Sequence, residues 1–220
     1  MSLGHLTYFP VMAKGLQLAL IAEHSGMEWT GITAGKGEGP DAWPGLKPKT
    51  PFGQMPFLET PEDGTVGQSV AIANYMAAKA NTQGATPAEF AMSQMCMAEG
   101  EDLYSIMGSK NLQRWKAAAD RCSDEEVEAY WAGPVPTHLA CLEALCKDTG
   151  FTTTGRTAGE IYLWGMLHQM CLMRSSCIEA FPKLAAWYAA VADEPATKKV
   201  LDGSSAIGEL GQYFINNPSE

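Results

Sequence analysis

The fold of this chain is decided by the stretch 50–78, TPFGQMPFLETPEDGTVGQSVAIANYMAA. Short apolar runs stand on both sides of a Pro- and Gly-containing segment at 61–64, a pattern that is typical of a β-hairpin. Ser69 predicts the N-cap of a following helix, because its hydroxyl can accept a hydrogen bond from an unpaired backbone amide. A helix that starts here also suits a bound carboxylate. Apolar residues then recur at helical spacing: Val70, Ile72, Ala73, Met76 and Ala77.

In order and spacing these motifs resemble the glutathione-binding half of the cytosolic glutathione S-transferases, in particular the sigma- and mu-like group that uses a catalytic tyrosine. The resemblance rests on PFGQMPFLE, the turn, and GQSVAIANYMA. It implies that Met55 binds the cysteinyl part of glutathione through its backbone and that the bond between Met55 and Pro56 is cis. It also implies three polar glutathione-binding residues, of which the last two hold the γ-glutamyl carboxylate: Gln54, Gln68 and Ser69.

The residues ahead of this stretch predict a strand, a helix and a second strand. HLTYF at 5–9 is β-prone, and residues 27–32 return to a strand-like composition. Between them, apolar residues at 13–24 recur at helical spacing and stop at a Ser-Gly pair, which is typical of a helix C-terminus. With the hairpin and its helix, the order is β-α-β followed by β-β-α. By resemblance this is an α/β thioredoxin-like domain over residues 1–82.

Tyr8 stands at the end of the first strand, where the tyrosine-type relatives have their catalytic residue. The reactive cysteine that thioredoxin-type redox enzymes keep in the following loop is missing from the sequence. The resemblance implies that the Tyr8 hydroxyl donates a hydrogen bond to the glutathione thiolate, which is the reactive form of the thiol. A hydrogen bond to a charged acceptor contributes about 1.5–3 kcal/mol, which lowers the thiol pKa by roughly one to two units.

Residues 10–14, PVMAK, depart from the sigma-like pattern, which has two arginines around a glycine at this point. Lys14 keeps the charge of the second arginine but not its planar donor fork, and Met12 replaces the first. The departure implies an apolar pocket mouth beside the thiolate, suited to an apolar electrophile and lined by Phe9, Val11 and Met12.

A loop at 35–48 is rich in Gly and Pro and contains Trp43 and, four residues on, Lys47. The resemblance implies that these two side chains reach the glycyl carboxylate of glutathione, the Trp through its N–H and the Lys through its charge. Lys49 is an alternative to Lys47. Phe52 matches either an aromatic key that inserts into the partner subunit of a homodimer or a core residue of its own domain.

The polar sequence NTQGATP follows the first domain, and the rest of the chain has a helical pattern, which predicts an all-α domain over 83–220. One bent helix or two in series are expected at 88–119. A helix that begins after Ser123 is expected to break at Pro134 and Pro136.

Thr157 and Glu160 form a capping box ahead of IYLWGMLHQMCLM, a run that is apolar nearly all round. This pattern predicts a central, buried helix. The box, and the late run FPKLAAWYAAV at 181–191, also resemble the second domain of the same family. The predicted architecture is therefore the glutathione transferase fold, an α/β thioredoxin-like domain followed by an all-α domain.

An acid on the first long helix is implied at the partner subunit's glutathione, because mu- and sigma-like relatives place there an Asp that crosses the dimer interface to the α-amino group. Asp102 is the candidate, with Glu101 and Glu99 as alternatives in register. On the same face, three residues either wall the electrophile pocket or pack between helices: Tyr104, Met107 and Asn111.

Composition excludes several classes of protein. Of the 220 residues, 46% are hydrophobic and 18% charged, which indicates a globular protein of one large or two small domains. The net charge of −10, with most of the acidic excess after residue 82, disfavours nucleic acid and anionic membranes as partners. No apolar run approaches the roughly 20 residues of a membrane span, and the N-terminus lacks a signal-peptide pattern, so a cytoplasmic protein is expected.

All six cysteines lie from Cys96 onward without a C-x-x-C motif, and they are expected to be reduced core side chains. His138 with Cys141, and His168 with Cys171, are each three residues apart on predicted helices. Such pairs are weak evidence for zinc. Neither a metal nor a prosthetic group is expected.

Together these features predict a homodimeric glutathione transferase that uses reduced glutathione as co-substrate and conjugates its Tyr8-stabilised thiolate to apolar electrophiles. Two alternatives remain open. A glutathione-dependent isomerase of the prostaglandin D synthase kind would use the same thiolate and release it unchanged. A non-catalytic ligand-binding or structural protein on the same fold is favoured by the altered residues 10–14 and opposed by the presence of Tyr8, Trp43, Lys47 and the Gln68-Ser69 pair.

Overall fold

The computed structural model describes residues 2–35, 37, 42–110 and 112–216. These residues form two compact units. The first contains the chain up to residue 83 together with 194–211, and the second contains 84–193 together with the residues after 211.

A four-stranded sheet in the order β2-β1-β3-β4 forms the centre of the first unit. β1 pairs in parallel with β2 and antiparallel with β3, and β3 pairs antiparallel with β4. The predicted β-α-β and β-β-α order is confirmed, with the hairpin turn at the expected place. The strands are β1 (Ser2–Tyr8), β2 (Glu28–Thr33), β3 (Phe57–Thr60) and β4 (Gly64–Gly67).

Helices account for most of the remaining described residues. Short 3-10 segments occur at Lys47–Lys49, Ala118–Asp120 and Ser175–Ile178. The α-helices are α1 (Gly15–His24), α2 (Trp43–Leu46), α3 (Ser69–Ala80), α4 (Pro87–Ser109), α5 (Asp124–Ala132), α6 (Pro134–Leu145), α7 (Ala158–Met173), α8 (Pro182–Ala192) and α9 (Pro195–Leu201).

The start of α3 corrects one prediction. Gln68, not Ser69, is the N-cap residue, and it has a positive φ of 70°. Ser69 is the first residue of the helix and makes no side-chain capping bond. The reason is the tight passage from β4 into the helix, which turns the chain at Gln68 and shifts the cap by one residue.

The stretch 194–211 belongs with the first unit and not with the helical second domain, to which the sequence pattern assigns it. Helix α9 packs on α1, where His24 Nε2 lies 2.8 Å from Thr197 Oγ1. Lys199 Nζ also donates to a Glu23 carboxylate oxygen at 2.9 Å. These contacts join residues more than 170 positions apart, which no local pattern predicts.

Helix α7 is the core of the second unit, as its apolar sequence predicts. It packs mainly on α4, and Trp164 is completely buried. Both bonds of the predicted capping box between Thr157 and Glu160 are present. A Cβ atom on Gly159 would lie 1.8 Å from the Ser93 carbonyl oxygen, so only glycine permits this approach of the two helices.

The other helix boundaries in the second unit match the sequence in part. The predicted break near the two prolines is confirmed, because α5 ends at Ala132 and α6 begins at Pro134. The predicted helix at 88–119 ends early, at Ser109. Beyond it the Arg121 guanidinium donates to the Lys116 carbonyl oxygen at 2.7 Å, and this bond stabilises an irregular segment in place of a second helix. No described helix is long and apolar enough to cross a membrane.

Candidate active site

Tyr8 is the last residue of β1, and only 6% of its surface is exposed. Its hydroxyl oxygen accepts a hydrogen bond from the Lys14 backbone N–H at 3.2 Å. Its carbonyl oxygen accepts one from the Ala34 N–H at 2.6 Å. Both ends of the residue are therefore fixed. Because an accepted hydrogen bond polarises an O–H group, this arrangement makes the Tyr8 hydroxyl a stronger donor.

Gly15 makes room for the Tyr8 ring. A Cβ atom on Gly15 would lie 2.3 Å from the ring atom Cδ1 of Tyr8. Sequence reasoning missed this residue, because nothing in the local pattern shows that a ring seven positions earlier packs against it. The available signal was a glycine in the first turn of a predicted helix, where glycine is otherwise unfavourable.

The unusual segment 10–14 is held by the C-terminal part of the first unit. Val11 forms an isolated parallel β-bridge with Gly211, and the Met12 N–H donates to the Gly211 carbonyl at 2.8 Å. Lys14 is then the N-cap residue of α1. Lys14 therefore donates a hydrogen bond to the Tyr8 hydroxyl through its backbone N–H, in addition to carrying the side-chain charge that the sequence indicates.

Three aromatic rings, two at the end of β1 and one from α2, meet beside this segment. The rings of Tyr8 and Phe9 pack edge to face with centroids 5.9 Å apart, and Phe9 and Trp43 pack in the same way at 6.0 Å. The structure therefore brings the predicted catalytic tyrosine, a predicted electrophile-pocket residue and a predicted glutathione-binding residue into one row.

Lys47 and Lys49 are both exposed at the end of α2. The side chain of Lys47 passes Gly53, where a Cβ atom would lie 3.4 Å from Lys47 Cε. Lys47 thus runs beside the loop that leads to Gln54. This contact favours Lys47 over Lys49 as the cation of a site around residue 54.

The residues between the loop and α3 lie at one edge of the sheet. Phe57, the first residue of β3, pairs with Gly67, the last residue of β4. The residues just before Phe57 and just after Gly67 therefore leave the sheet at the same place. Gln68 Nε2 donates to Gln54 Oε1 at 3.2 Å, and the bond between Met55 and Pro56 is cis, as the resemblance implies. The polar groups of both segments and the first amides of α3 are therefore neighbours.

Phe52 is 65% exposed. Its Cδ2 lies 3.3 Å from where a Cβ atom of Gly67 would stand, so the ring rests on the hairpin without entering the core. Of the two predicted roles, that of a core residue of its own domain is wrong.

The three candidate acids on α4 have different settings. Glu99 Oε1 lies 2.6 Å from His138 Nδ1, and Glu101 accepts a hydrogen bond from the Tyr162 hydroxyl. Asp102 is exposed, and within the described part of the chain its carboxylate makes no hydrogen bond or ion pair. Glu99 and Glu101 are therefore engaged within the second unit, and Asp102 presents its carboxylate to solvent.

The predicted pocket residues of α4 also differ among themselves. Tyr104 is half-buried and its ring packs edge to face on Phe214 with centroids 5.3 Å apart. Met107 is completely buried, which leaves it no surface for a ligand and makes it a packing residue. Asn111 lies outside the described residues.

The His–Cys pairs do not converge on a common point. His138 faces Glu99, whereas His168 Nδ1 lies 2.8 Å from the Tyr188 hydroxyl. Among the described residues, no group of three or more His, Cys, Asp or Glu side chains has an arrangement that would hold a metal ion.

Comparisons with known proteins agree with this geometry. The family profile for the glutathione S-transferase N-terminal domain matches residues 4–78. Glutathione S-transferase 1 of Ascaris suum is 40% identical over 147 residues, which cover 66% of this chain and 68% of that protein. Hematopoietic prostaglandin D synthase of Gallus gallus is 36% identical over 197 residues, which cover 83% of this chain and 93% of that protein.

Solved structures share the fold. The Pi-class glutathione S-transferase of Onchocerca volvulus superposes with a TM-score of 0.74 at 22% identity, covering 89% of this chain and 90% of that one. The prostaglandin synthase D of Nilaparvata lugens superposes with a TM-score of 0.72 at 24% identity, covering 90% and 96%. The predicted fold class is thereby confirmed.

Proposed function

This chain belongs to the glutathione S-transferase family of enzymes, and from that membership we propose that it binds reduced glutathione, holds the thiol as a thiolate at Tyr8 and adds it to apolar electrophiles. In this step the thiol proton leaves, the sulfur lone pair forms a bond to the electrophilic carbon, and the electron pair displaced from that carbon goes to its leaving group or acceptor atom. The protein supplies the orientation and the stabilising donor.

The observation that carries the proposal is the hydrogen bond from the Lys14 amide to the Tyr8 hydroxyl oxygen. Lys14 and Tyr8 are both buried or half-buried, so the donor is held before substrate arrives. A preformed donor costs no reorganisation when negative charge develops on sulfur. Its contribution of about 1.5–3 kcal/mol corresponds to a thiol pKa lowered by roughly one to two units.

For the rest of glutathione we propose two carboxylate sites on the first unit. Gln68 and Ser69, at the start of α3, receive the γ-glutamyl carboxylate beside Gln54, and Met55 pairs with the cysteinyl backbone across the cis bond to Pro56. The glycyl carboxylate takes the indole N–H of Trp43 and the ammonium of Lys47, two donors that suit an anion.

An apolar electrophile is supported by the side chains around the tyrosine. Phe9, Val11 and Met12 are each only partly buried and carry no charge. Methionine at such a surface adapts to ligands of different shape. Of the predicted pocket residues on α4, Tyr104 is half-buried and presents an aromatic ring.

We further propose a homodimer in which Phe52 inserts into the partner subunit and Asp102 reaches the partner subunit's glutathione α-amino group. The support is the exposed Phe52 ring and the exposed carboxylate of Asp102, in contrast to the engaged Glu99 and Glu101. Sedimentation velocity should give a dimer for the wild type and a monomer-dimer mixture for Phe52→Ser. Equal sedimentation of the two proteins would remove Phe52 from the interface.

A second candidate, a glutathione-dependent isomerase, is favoured by the two relatives named prostaglandin D synthase and prostaglandin synthase D. It would use the same residues and return the thiol at the end of each turnover. Isomerisation therefore differs from conjugation only in the fate of glutathione.

The experiment is a steady-state assay of the wild type and of Tyr8→Phe. An aromatic halide electrophile and an organic endoperoxide are supplied in separate reactions. The free thiol and the product are both measured in each reaction. Conjugation consumes one thiol per product, whereas isomerisation consumes none. We expect Tyr8→Phe to lower kcat about 10- to 100-fold in either reaction. Turnover that is unchanged in Tyr8→Phe would contradict the thiolate mechanism, and absence of both reactions in the wild type would favour the non-catalytic alternative.

A further inference from the structure

A second group of reactive side chains lies in the helical unit, at the C-terminal end of α7. The Sγ atoms of Cys171, in α7, and Cys177, in the following 3-10 segment, are 3.8 Å apart and both residues are reduced. Each is only partly buried. A disulfide bond has an S–S distance of about 2.05 Å, so the two sulfur atoms must approach each other further before they can bond.

The polar neighbours of this pair distinguish Cys171 from Cys177. His168 Nδ1 lies 2.8 Å from the Tyr188 hydroxyl, a group that, in addition to Cys177, stabilises the Cys171 thiolate. Burial lowers the pKa of His168 to about 4, so the ring is neutral at pH 7. With its proton on Nδ1, the His168 ring donates to the Tyr188 hydroxyl oxygen, which leaves the Tyr188 O–H as a donor that can stabilise the Cys171 thiolate.

The two thiols of the pair differ in consequence. Hydrogen bonds from Cys177 and from Tyr188 hold the pKa of Cys171 below its ordinary value despite burial. The hydrogen bond to Cys171 and burial raise the pKa of Cys177. A thiolate is the form that attacks an oxidant, so Cys171 is the attacking sulfur and Cys177 is the sulfur that resolves the product.

Other cysteines of the chain have the opposite environment. Burial raises the pKa of Cys146 to about 11, and it also raises the pKa values of Cys96 and Cys122. Cys141 is exposed on α6 and serves as an internal reference for simple accessibility.

We propose that Cys171 and Cys177 are a redox-reactive pair that hydroperoxides convert into an intramolecular disulfide. The Cys171 thiolate attacks the terminal peroxide oxygen, the O–O bond breaks, and the product is a sulfenic acid and, after protonation, an alcohol or water. The Cys177 thiol then attacks the sulfenic sulfur, the S–S bond forms and one water leaves. Two equivalents of a reduced thiol such as glutathione restore the pair and give one disulfide of that thiol.

This proposal is independent of the glutathione site on the first unit. The disulfide would join the last turn of α7 to the 3-10 segment Ser175–Ile178 across the extended residue Arg174. It makes this end of the core helix a site of reversible oxidation.

The chain offers a clean assay for the disulfide, because Arg174 lies between the two cysteines. Trypsin releases Cys171 in the peptide 157–174 and Cys177 in the peptide 175–183, and neither peptide contains another cysteine. The folded protein is treated with hydrogen peroxide for increasing times, remaining thiols are alkylated, and the non-reduced digest is analysed by mass spectrometry. The disulfide then appears as one cross-linked pair of these peptides.

We expect the cross-linked pair to form while most of the Cys141 thiol can still be alkylated, because the Cys171 thiolate is stabilised and the Cys177 sulfur lies 3.8 Å away to resolve the sulfenic acid. Each unit by which a thiol pKa falls raises the thiolate fraction about tenfold and lowers its nucleophilicity about threefold. Oxidation of Cys141 first, with both peptides still alkylated, overturns the proposal.

Three variants assign the roles. Cys177→Ser should stop at a Cys171 sulfenic acid that a cyclic diketone traps, whereas Cys171→Ser should leave Cys177 as a thiol. Tyr188→Phe, which keeps the ring stacked on Trp164, should slow the cross-link about threefold through the loss of one donor. Tyr75→Phe, whose hydroxyl bonds to Asp63 in the first unit, is the matched control and should not change the rate. If Cys171→Ser instead yields a trapped sulfenic acid at Cys177, the assignment of the attacking sulfur is overturned.

Discussion

The end of β1 in the first unit and the start of α7 in the second are built from the same two components, a polar side chain and a glycine. In the first unit they are Tyr8, the last residue of β1, and Gly15, the first residue of α1, whose position lies against the Tyr8 ring; at α7 they are Glu160 and Gly159. Glu160 is 1% exposed and accepts four hydrogen bonds, from the Phe151 and Thr157 amides and from the Thr152 and Thr157 hydroxyls. The Tyr8 hydroxyl accepts its bond from the backbone N–H of Lys14, the N-cap residue of α1.

The glycines differ in the same way. A Cβ atom on Gly159 would meet a backbone carbonyl oxygen of α4, which cannot move without its helix. A Cβ atom on Gly15 would meet the ring of Tyr8, a side chain that can turn aside. Glu160 and Gly159 at the start of α7 therefore stabilise the fold, whereas Gly15 fixes the position of one hydroxyl group, that of Tyr8. Substitutions in the two regions should therefore separate stability from chemistry.

The largest effect is expected for Gly159→Ala. The added methyl group overlaps the Ser93 carbonyl and forces α4 and α7 apart, which should lower the free energy of unfolding by about 3–5 kcal/mol. Chemical denaturation of the two proteins measures this difference. The matched control is Gly108→Ala, on the same α4, where a Cβ atom would lie 3.7 Å from its nearest neighbour. This control should be neutral or slightly stabilising, and an equal loss in both variants would refute the packing argument.

Gly15→Ala should have a smaller effect, and on a different quantity. Displacement of the Tyr8 ring moves the hydroxyl away from the Lys14 amide and should lower kcat/KM about tenfold. The control is the same change in a Tyr8→Phe background, where no hydroxyl remains to be displaced and the loss should be under about twofold. If Gly15→Ala costs the same in both backgrounds, Gly15 does not act through the tyrosine.

Local motifs of the sequence predict much of this structure. The hairpin, the helix break at Pro134 and the capping box at Glu160 each depend on residues close together in the chain, whereas the cis bond before Pro56 is implied by the family resemblance. The first three features are determined by turn chemistry and by helix-end hydrogen bonds, which act over a few residues.

The sequence pattern does not predict contacts between residues that are far apart in the chain. The bridge of Val11 to Gly211 and the packing of α9 on α1 join the two ends of the first unit, and no periodicity signals them. The sequence also does not show which candidate acid of α4 is bonded within the protein, since Glu101 accepts a hydrogen bond from Tyr162, 61 positions later. Side-chain partners of this kind depend on how the helices pack, which a single sequence does not specify.

The proposed mechanism depends on a single hydrogen bond, from the Tyr8 hydroxyl to the glutathione sulfur. The direct test is the near-ultraviolet thiolate absorbance of glutathione bound to the wild type and to Tyr8→Phe, titrated from about pH 5 to 9 under saturating conditions chosen for each protein. Since the Tyr8 donor stabilises the charged form, the bound thiol should ionise at a pH lower by roughly one to two units in the wild type than in the variant. Equal midpoints with glutathione bound to both proteins would contradict the account.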